Sequence, residues 1–287
     1  MTPLELYDRA AEDAAGTVLR RYSTSFGMAS RLLGSRSRID IGNIYALVRV
    51  ADEIVDGVAS AAGLGLDEVS RHLDALEADV EQALRTGYSV NLIVHAFART
   101  ARRTGIGTDL TAPFFASMRA DLSATEHTDE SFAAYVYGSA EVVGLMCLAV
   151  FLDGREPRER ERLERGARAL GAAFQKVNFL RDLSADFGAL GRSYFPGVRV
   201  SEFDEDAKDR LLDDLDRDLE EAASVIPLLP RRHRRAVAAA HGLFAELSRR
   251  LRRTPAALIA AERVSVPQLV KVRVLAASLA AAPGRRA

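Results

Sequence analysis

Apolar residues recur every three or four positions along most of the chain. Between Ile44 and Val58 they follow the spacing of one face of an amphipathic helix, and the same spacing returns over 73–84 and 211–219. No strand-like run of alternating apolar and polar residues stands out, and no Asn-Gly or Asp-Gly turn separates two such runs. The pattern therefore predicts an all-α fold.

Breaks that contain glycine, proline or short polar residues divide this helical pattern into segments. The intervals between the breaks correspond to helices of about 15–25 residues, which is normal for a large helical bundle. No break is long enough to be a domain linker, so we expect one all-α domain over residues 1–287. The breaks fall at 34–37, 59–65, 105–111, 125–129, 153–157, 188–197, 227–230 and 254–255.

Composition and charge narrow the class of protein. Hydrophobic residues make up 48% and charged residues 28% of the chain, which is typical of a globular protein and unlike a disordered or collagen-like one. The formal net charge of −1 offers nothing to attract nucleic acid. The single cysteine, Cys147, permits no internal disulfide and fits a reducing compartment. We therefore expect a cytoplasmic protein without a nucleic-acid partner.

Three segments bear on contact with a membrane. The acidic N-terminal segment lacks the basic start and apolar run of a signal peptide, so we expect none. The longest apolar run, Val142–Leu152, is shorter than the roughly 20 residues that span a bilayer, and we predict a buried core helix there. The basic cluster at 231–235 is explained most simply as a solvated helix face. Its functional interpretation is peripheral contact with anionic headgroups at the inner face of the membrane, worth about 1 kcal/mol per residue.

The first candidate for chemistry is a polar stripe on an apolar helix. Asp56 follows Tyr45, Arg49 and Asp52 at helical spacing, and at about 100° per residue the four lie within about 60° of one another. Apolar residues on both sides predict that the stripe faces inward. A phenol, a guanidinium and two carboxylates are costly to bury without partners, so the stripe predicts a polar site inside the bundle.

A second stripe of the same kind lies further along the chain. It consists of Gln175, Asn178, Asp182 and Asp186, which fall within about 80° of one another on a helix. Facing pairs of carboxylates repel unless cations lie between them. Mg²⁺ commonly binds one or two carboxylates together with phosphate oxygens and water, and Mn²⁺ accepts the same ligands. One stripe alone is better explained by surface ion pairs with arginine, whereas both together favour a Mg²⁺–diphosphate site.

Other kinds of site find little support. The five histidines include no His-x-x-x-His pair and have no cysteine partner, so a zinc site is disfavoured. The two Gly-x-Gly segments, at 63–65 and 105–107, do not follow strands, and neither indicates a dinucleotide site.

The two motifs resemble those of the squalene/phytoene synthase family of head-to-head prenyl transferases. Asp52-Glu-Ile-Val-Asp56 is similar to the family's D-x-x-x-D motif, and Asn178-Phe-Leu-Arg181-Asp182-Leu-Ser-Ala-Asp186 is similar to its N-x-x-R-D-x-x-x-D motif. The resemblance extends over about residues 15–275. Further similar segments are Ser23-Thr-Ser25-Phe26, Tyr135-Val-Tyr137-Gly138, Arg192-Ser-Tyr194 and Arg263-Val-Ser-Val-Pro267.

This resemblance implies an isoprenoid synthase bundle with a central apolar cavity that binds two prenyl diphosphates. Mg²⁺ would draw off the first diphosphate, and the allylic cation would react with the second substrate to give a cyclopropylcarbinyl diphosphate, which rearranges to a linear product. The catalytic residues it implies are Asp52, Asp56, Asp182, Asp186, Tyr135 and Phe26, with Asn178 joining the aspartates as a metal ligand. The substrate-binding residues it implies are Ser23, Ser25, Tyr45, Arg49, Gln175, Arg181, Arg192 and Tyr194.

Three positions depart from the family pattern. Tyr22 stands where the family often has histidine, and Phe244 stands where some members have tyrosine. Glu141 falls where a small residue is usual, so it adds a carboxylate that either pairs with an arginine or binds metal.

Several functions remain open at this point. The leading one is a phytoene synthase, which joins two geranylgeranyl diphosphates without a reductant. A squalene or dehydrosqualene synthase would use farnesyl diphosphate, and only the squalene reaction needs NADPH. A terpene cyclase is disfavoured because its second motif is an Asn/Ser/Glu triad. A non-enzymatic relative is disfavoured because all four aspartates are present.

Overall fold

The computed structural model describes residues 1–23, 25–123, 127–190, 194–198 and 202–280, with side chains at all of these except 25–26, 184–190, 275 and 278–280. No β-strand occurs in these ranges, and the predicted all-α fold is confirmed. The α-helices are α1 (Pro3–Tyr22), α2 (Ser25–Ser30), α3 (Ser35–Val55), α4 (Val58–Ala61), α5 (Leu66–Thr86), α6 (Leu92–Thr104), α7 (Thr108–Ala120), α8 (Asp129–Val136), α9 (Val142–Leu152), α10 (Arg160–Leu190), α11 (Glu205–Val225), α12 (Arg231–Arg253), α13 (Ala256–Ala261) and α14 (Gln268–Ala280). A π-helical turn, Tyr137–Glu141, joins α8 to α9, and a 3₁₀ turn, Ile226–Leu228, follows α11.

Two large groups of buried apolar side chains hold these helices together. The first lies among α3, α5, α6, α7 and α9, and it includes Leu47, Phe97 and Phe115, each at most 1% exposed. The second lies among α8, α10, α11, α12 and α13, with Leu180 and Leu215 fully buried. Each such side chain contributes about 1.5–3 kcal/mol when it leaves water. The first aspartate motif therefore lies on a helix of one group and the second motif on a helix of the other.

Glycines let three helices approach one another backbone to backbone near the π turn. A Cβ added to Gly138 would lie 2.2 Å from the Pro113 carbonyl oxygen of α7. A Cβ on Gly171 of α10 would lie 2.4 Å from the Ala140 carbonyl oxygen. No side chain fits at these distances. The π turn is thus clamped between α7 and α10, which fixes the direction of α8 in front of it.

The apolar run predicted as a core helix is the end of a longer helix. Together α8, the π turn and α9 form a continuous helix, Asp129–Leu152, of 24 residues. Its length and composition suit a membrane span, but 56% of its most apolar window is buried inside the protein, and a core helix passes the same test. No residue of Val142–Leu152 is exposed, in agreement with the predicted core helix.

Candidate active site

The first aspartate motif closes the C-terminal end of α3. The Asp56 N–H donates to the Asp52 carbonyl oxygen over 2.8 Å, and Gly57 then takes a φ of 106° that ends the helix. The Asp52 side chain is partly buried and Asp56 is exposed. The predicted stripe therefore reaches one residue beyond the helix, with Asp56 as its C-cap.

Negative charge is concentrated around Asp52. Burial raises the pKa of the Asp52 carboxyl to about 7, and the neighbouring carboxylates of Asp56 and Asp121 add to the rise while Arg49 opposes it. Near neutral pH this carboxyl is therefore only partly ionised in the absence of a cation. All three carboxyl groups offer the hard oxygen atoms that Mg²⁺ prefers.

Arg49 is held beside this cluster by two neighbours. Its guanidinium forms an ion pair with Glu53, one turn further along α3. The guanidinium carbon also lies 4.7 Å from the centre of the Tyr22 ring, a cation–π contact. The Arg49 Nε atom is buried and has no hydrogen-bond partner among the described residues. The family departure at Tyr22 thus supplies a support for Arg49.

Tyr45 and Ser23 meet on the same side of α3. Burial raises the pKa of the Tyr45 phenol, whereas the Arg49 charge and a hydrogen bond with the Ser23 side chain act in the opposite direction. The Ser23 hydroxyl also accepts the Gly27 N–H of α2 over 3.2 Å. The structure therefore brings together Ser23, Tyr45, Arg49 and Asp52, and their roles in binding and catalysis stay predictions. The side chains of Ser25 and Phe26 lie outside the described residues.

In the second motif, Asp182 lies between two guanidinium groups. Arg181 Nε is 3.1 Å and 3.2 Å from the two carboxylate oxygens, and Arg263 Nε is 2.7 Å from Oδ1. Arg181, which the helical wheel alone turns away from the stripe, thus reaches it through its long side chain. Arg263 belongs to the C-terminal segment between α13 and α14. The Asp186 side chain and Arg192 lie outside the described residues.

Gln175 and Asn178 are partly buried on α10, about two turns and one turn before Asp182, respectively. Between them Lys176 turns to the other side and binds Asp214 and Asp218 of α11 over 2.5 and 2.7 Å. This pair of bonds ties α10 to α11. The roles predicted for Gln175 and Asn178 stay predictions.

Tyr135 and Tyr194 converge on a carboxylate that sequence reasoning missed. The Tyr135 hydroxyl donates to Asp121 Oδ2 over 2.8 Å, and the Tyr194 hydroxyl donates to Asp121 Oδ1 over 3.4 Å. Tyr194 stacks on Phe179 of α10, with ring centres 4.0 Å apart. Because the two tyrosines are 14 and 73 positions from Asp121, no local pattern could have revealed the group. It links the surroundings of Asp52 to the helix that carries Asp182.

The other two departures from the family pattern have plain structural explanations. Glu141 accepts a hydrogen bond from Arg168 Nε over 2.6 Å, which favours the arginine-pair interpretation over metal binding. Phe244 is buried and packs its ring against Phe174.

The complete metal site is not seen within the described side chains. Among them, no three His, Cys, Asp or Glu residues gather closely enough to hold a metal ion. Asp186, a member of the predicted ligand set, lies outside this part. Two surface clefts, one lined mainly by arginines and one by acidic residues and arginines, include no residue of either motif. The Mg²⁺ ligands and the central apolar cavity therefore stay predictions.

Comparisons with known proteins point to the same family as the two aspartate motifs do. The family model described as "Squalene/phytoene synthase" matches residues 19–270. The phytoene synthase of Mycobacterium tuberculosis is 29% identical over 301 aligned residues, which cover 98% of this chain and 93% of that protein. The 4,4'-diapophytoene synthase of Staphylococcus haemolyticus is 30% identical, with 68% of this chain and 67% of that protein covered. Phytoene synthase 3 of Zea mays is 31% identical over 68% of this chain, and the match spans 44% of that longer protein.

Solved structures agree in fold. A dehydrosqualene synthase in complex with ligand superimposes with a TM-score of 0.81 at 22% identity, covering 97% of this chain and 98% of that one. The squalene synthase HpnC from Alicyclobacillus acidocaldarius gives a TM-score of 0.74 at 21% identity, covering 88% of this chain and 96% of that one. The family match covers both aspartate motifs and nearly the whole helical bundle. The chain therefore belongs to the squalene/phytoene synthase family, whose members are prenyltransferases that join two prenyl diphosphates head to head.

Proposed function

We propose that this protein converts two molecules of geranylgeranyl diphosphate into phytoene in a Mg²⁺-dependent reaction. The family fixes the class of reaction, and the substrate and metal are the parts proposed here. The full-length match to the phytoene synthase of Mycobacterium tuberculosis supports this substrate. So do the segments 52–57 and 144–146, which resemble the carotenoid branch of the family.

The observation that carries the metal part is the environment of Asp52. Its partly buried carboxyl has a pKa near 7 because burial and two neighbouring carboxylates disfavour its charge. A bound divalent cation would reverse this balance, since opposite charge favours the ionised form. The oxygen-rich side chains therefore suit Mg²⁺, with Mn²⁺ as a substitute.

The residues that would hold Mg²⁺ are Asp52, Asp56, Asn178, Asp182 and Asp186. When bound, the metal supplies positive charge that stabilises the departing diphosphate. The chain adds its own cations and donors. Arg49 would bind diphosphate oxygens through its guanidinium, whose Nε atom has no partner among the described residues, with Tyr45 and Ser23 as hydrogen-bond donors beside it. Further contacts to the substrates would come from Ser25, Gln175, Arg181, Arg192 and Tyr194.

The protein's other task is to protect a carbocation. The first substrate loses its diphosphate, and the double bond of the second attacks the resulting allylic cation with loss of a proton. This gives a cyclopropylcarbinyl diphosphate. A second ionisation, rearrangement and proton loss then yield phytoene without a reductant. The aromatic rings of Tyr135 and Phe26 would face the cation, at about 1–2 kcal/mol each when desolvated, and the apolar surroundings would exclude water.

A second candidate uses the shorter substrate farnesyl diphosphate. The 4,4'-diapophytoene synthase of Staphylococcus haemolyticus is as similar in sequence, at 30% identity. The solved dehydrosqualene synthase has the same fold, with a TM-score of 0.81. Squalene formation would require NADPH as well.

One incubation series tests these functions. Purified protein receives farnesyl or geranylgeranyl diphosphate with Mg²⁺, Mn²⁺ or EDTA, with and without NADPH, and hydrocarbon products are identified by mass spectrometry. We expect a forty-carbon phytoene that disappears with EDTA and is indifferent to NADPH. A thirty-carbon product formed only from farnesyl diphosphate would transfer the protein to the second candidate.

We also propose a cytoplasmic location with peripheral contact to anionic membranes, because both substrate and product are lipids. In the basic cluster at 231–235, fewer side chains are available to a membrane surface than the sequence suggests. His233 is fully buried, Arg232 pairs with Asp153 at 3.6 Å, and Arg234 donates to the Leu229 carbonyl oxygen. Arg231 and Arg235 are exposed and would carry the attraction.

A further inference from the structure

Asp121 is a buried carboxylate at the end of α7. It is 7% exposed and caps the helix, with its N–H directed at the Ser117 carbonyl oxygen over 3.3 Å. A carboxylate removed from water is costly unless donors surround it. Two of those donors are the hydroxyl groups of Tyr135 and Tyr194, at 2.8 and 3.4 Å.

Helix α7 holds Tyr135 at two points. The Ser117 hydroxyl donates to the Tyr135 backbone carbonyl oxygen over 3.1 Å, and Asp121, one turn later, accepts from the phenol. The close backbone approach of Gly138 to Pro113 of α7 fixes the same stretch one turn further along. The Tyr135 ring is therefore held in one orientation by main-chain and side-chain contacts together.

The tyrosine rings form one aromatic group behind this carboxylate. The Tyr135 and Tyr194 ring centres are 5.6 Å apart, and His127 lies 5.2 Å from the first and 6.1 Å from the second. Phe179 of α10 lies 5.9 Å from Tyr135. The group joins α7, α8, α10 and the segment after α10.

The charge of Asp121 also acts on the first aspartate motif. Its charge contributes to the raised pKa of Asp52, and Asp52 in turn adds to the raised pKa of Tyr135. The carboxylate thus interacts with both the motif where the diphosphate would leave and the tyrosine that would face the cation.

We propose that Asp121 is a positioning residue of the prenyl transfer, which fixes the Tyr135 hydroxyl and makes its oxygen more electron-rich. A phenol that donates its proton to a carboxylate keeps its oxygen lone pairs free, and the bond polarises them further. An electron-rich ring and oxygen at a fixed place stabilise positive charge that develops in front of them. This inference rests on the proposed function, because it assigns the cation to the face of Tyr135.

The kinetic test compares Asp121→Asn, Tyr135→Phe and the double variant. We expect each single variant to lower kcat about 10- to 100-fold, with KM for the prenyl diphosphate changed less than about threefold. Because Asp121 acts through Tyr135, the double variant should be no slower than Tyr135→Phe. Multiplied effects in the double variant, a normal kcat in Asp121→Asn, or a rise in KM alone would overturn the proposal.

A spectroscopic test does not depend on catalysis. The chain contains seven tyrosines and no tryptophan, so phenolate absorbance can be followed directly during an alkaline titration. Burial and the Asp121 charge hold the pKa of Tyr135 well above its ordinary value. Asp121→Asn should therefore shift the Tyr135 phenol to lower pH, and this component of the shift should be missing when Asp121→Asn is made in the Tyr135→Phe background. An unchanged titration would overturn the proposed action of Asp121 on Tyr135, whatever the reaction. A shifted titration in a protein whose wild type forms no head-to-head product would instead overturn the proposed function.

Circular dichroism and thermal unfolding check that the variants fold. If Asp121→Asn does not fold, the comparison passes to Tyr135→Phe and Tyr194→Phe. The Tyr194 bond is longer, so we expect Tyr194→Phe to lower kcat less than Tyr135→Phe does. Equal losses, or a larger loss in Tyr194→Phe, would contradict the assignment.

Discussion

The Arg263 Nε atom lies 2.7 Å from the Asp182 carboxylate and so joins the C-terminal segment to the second aspartate motif. The Arg263 side chain is 63% exposed, whereas Asp182 is 22% exposed. A solvent-exposed guanidinium contributes little to stability, but here it lies where a diphosphate would meet the motif. The contact therefore bears on substrate binding more than on folding.

Arg263→Gln should raise KM for the prenyl diphosphate about tenfold, since hydrogen bonds to charged groups are worth about 1.5–3 kcal/mol. Its free energy of unfolding should change by less than about 1 kcal/mol. Steady-state kinetics and urea unfolding measure the two effects. Arg160→Gln is the control, because Arg160 forms exposed ion pairs with Glu156 and Glu164 at the start of α10, the helix that carries Asp182. Equal KM values for both variants would contradict a role for Arg263.

Asp52→Asn should slow turnover strongly without weakening the fold. We expect a loss of about 10²–10³-fold in kcat, the usual cost of removing an electrostatic contact to the transition state. The free energy of unfolding should stay the same or rise, because the amide removes repulsion from Asp56 and Asp121.

The same variant reports on the metal. Added Mg²⁺ should raise the Tm of the wild type and raise that of Asp52→Asn less, since a ligand stabilises only the state that binds it. Asp67→Asn, an exposed change in α5, should respond like the wild type. An equal Mg²⁺ response in Asp52→Asn would argue against Asp52 as a ligand.

Gly138→Ala should destabilise the protein by about 1–3 kcal/mol or more, because the new Cβ would meet the Pro113 carbonyl oxygen at 2.2 Å and the Ser117 Oγ at 2.1 Å. Gly42→Ala in α3 is the matched control, since its Cβ meets only Leu19 at an ordinary 3.7 Å. Thermal and urea unfolding should separate the two variants clearly. A stable Gly138→Ala would mean that α7 and the π turn are further apart than described.

His233 should make stability fall in mild acid. Its ring is buried, and burial together with the Arg232 and Arg155 charges lowers its pKa from 6.5 to about 4. In the unfolded chain the ring takes up its proton near pH 6.5, so the unfolded state binds more protons between pH 6.5 and 4. Stability is therefore lost as the pH falls through that window, at about 1.4 kcal/mol for each pKa unit of separation.

His233→Gln keeps a polar group near Ser37 Oγ, the partner of the ring Nε2 at 3.0 Å, but cannot take up a proton. Urea unfolding between pH 7 and pH 4 should give a shallower loss of stability in this variant. Parallel curves for both proteins would rule out His233 as a source of the slope.

Membrane contact should depend weakly on two arginines. In flotation with anionic liposomes, Arg231→Gln/Arg235→Gln should bind less, at about 1 kcal/mol for each removed charge. Arg20→Gln/Arg21→Gln removes the same charge from the exposed end of α1 and should float like the wild type. Equal losses in both double variants would indicate a nonspecific effect of net charge.

The spacing of apolar residues was sufficient to predict the helices and to bring together the polar residues of α3. Tyr45, Arg49 and Asp52 share one helix face, so the spacing alone brings them together. Two further details were also within reach of local rules. Glu53 lies four positions after Arg49, the spacing of a helical ion pair, and Gly57 marks the end of α3.

The rest depends on contacts between distant segments. Asp121 accepts hydrogen bonds from tyrosines of two other segments, and Asp182 forms an ion pair with Arg263 of the C-terminal region. Such contacts depend on how helices cross, which follows from side-chain packing along the whole bundle. Arg181 forms an ion pair with its neighbour Asp182, and its role in substrate binding stays a prediction.

The π turn between α8 and α9 has a consequence for how this family can change by insertion and deletion. A π turn accommodates one more residue than an α-helical turn in the same helix. Deleting one residue within 137–141 would restore a regular α-helix and leave α8 and α9 at nearly the same relative rotation, because the wide turn takes up the extra residue. Deleting one residue within the regular turns of α9 would instead rotate α8 by about 100° relative to the rest of that helix and carry Tyr135 away from Asp121. Homologues that use this pair should therefore tolerate a change of length at 137–141 better than one within α9.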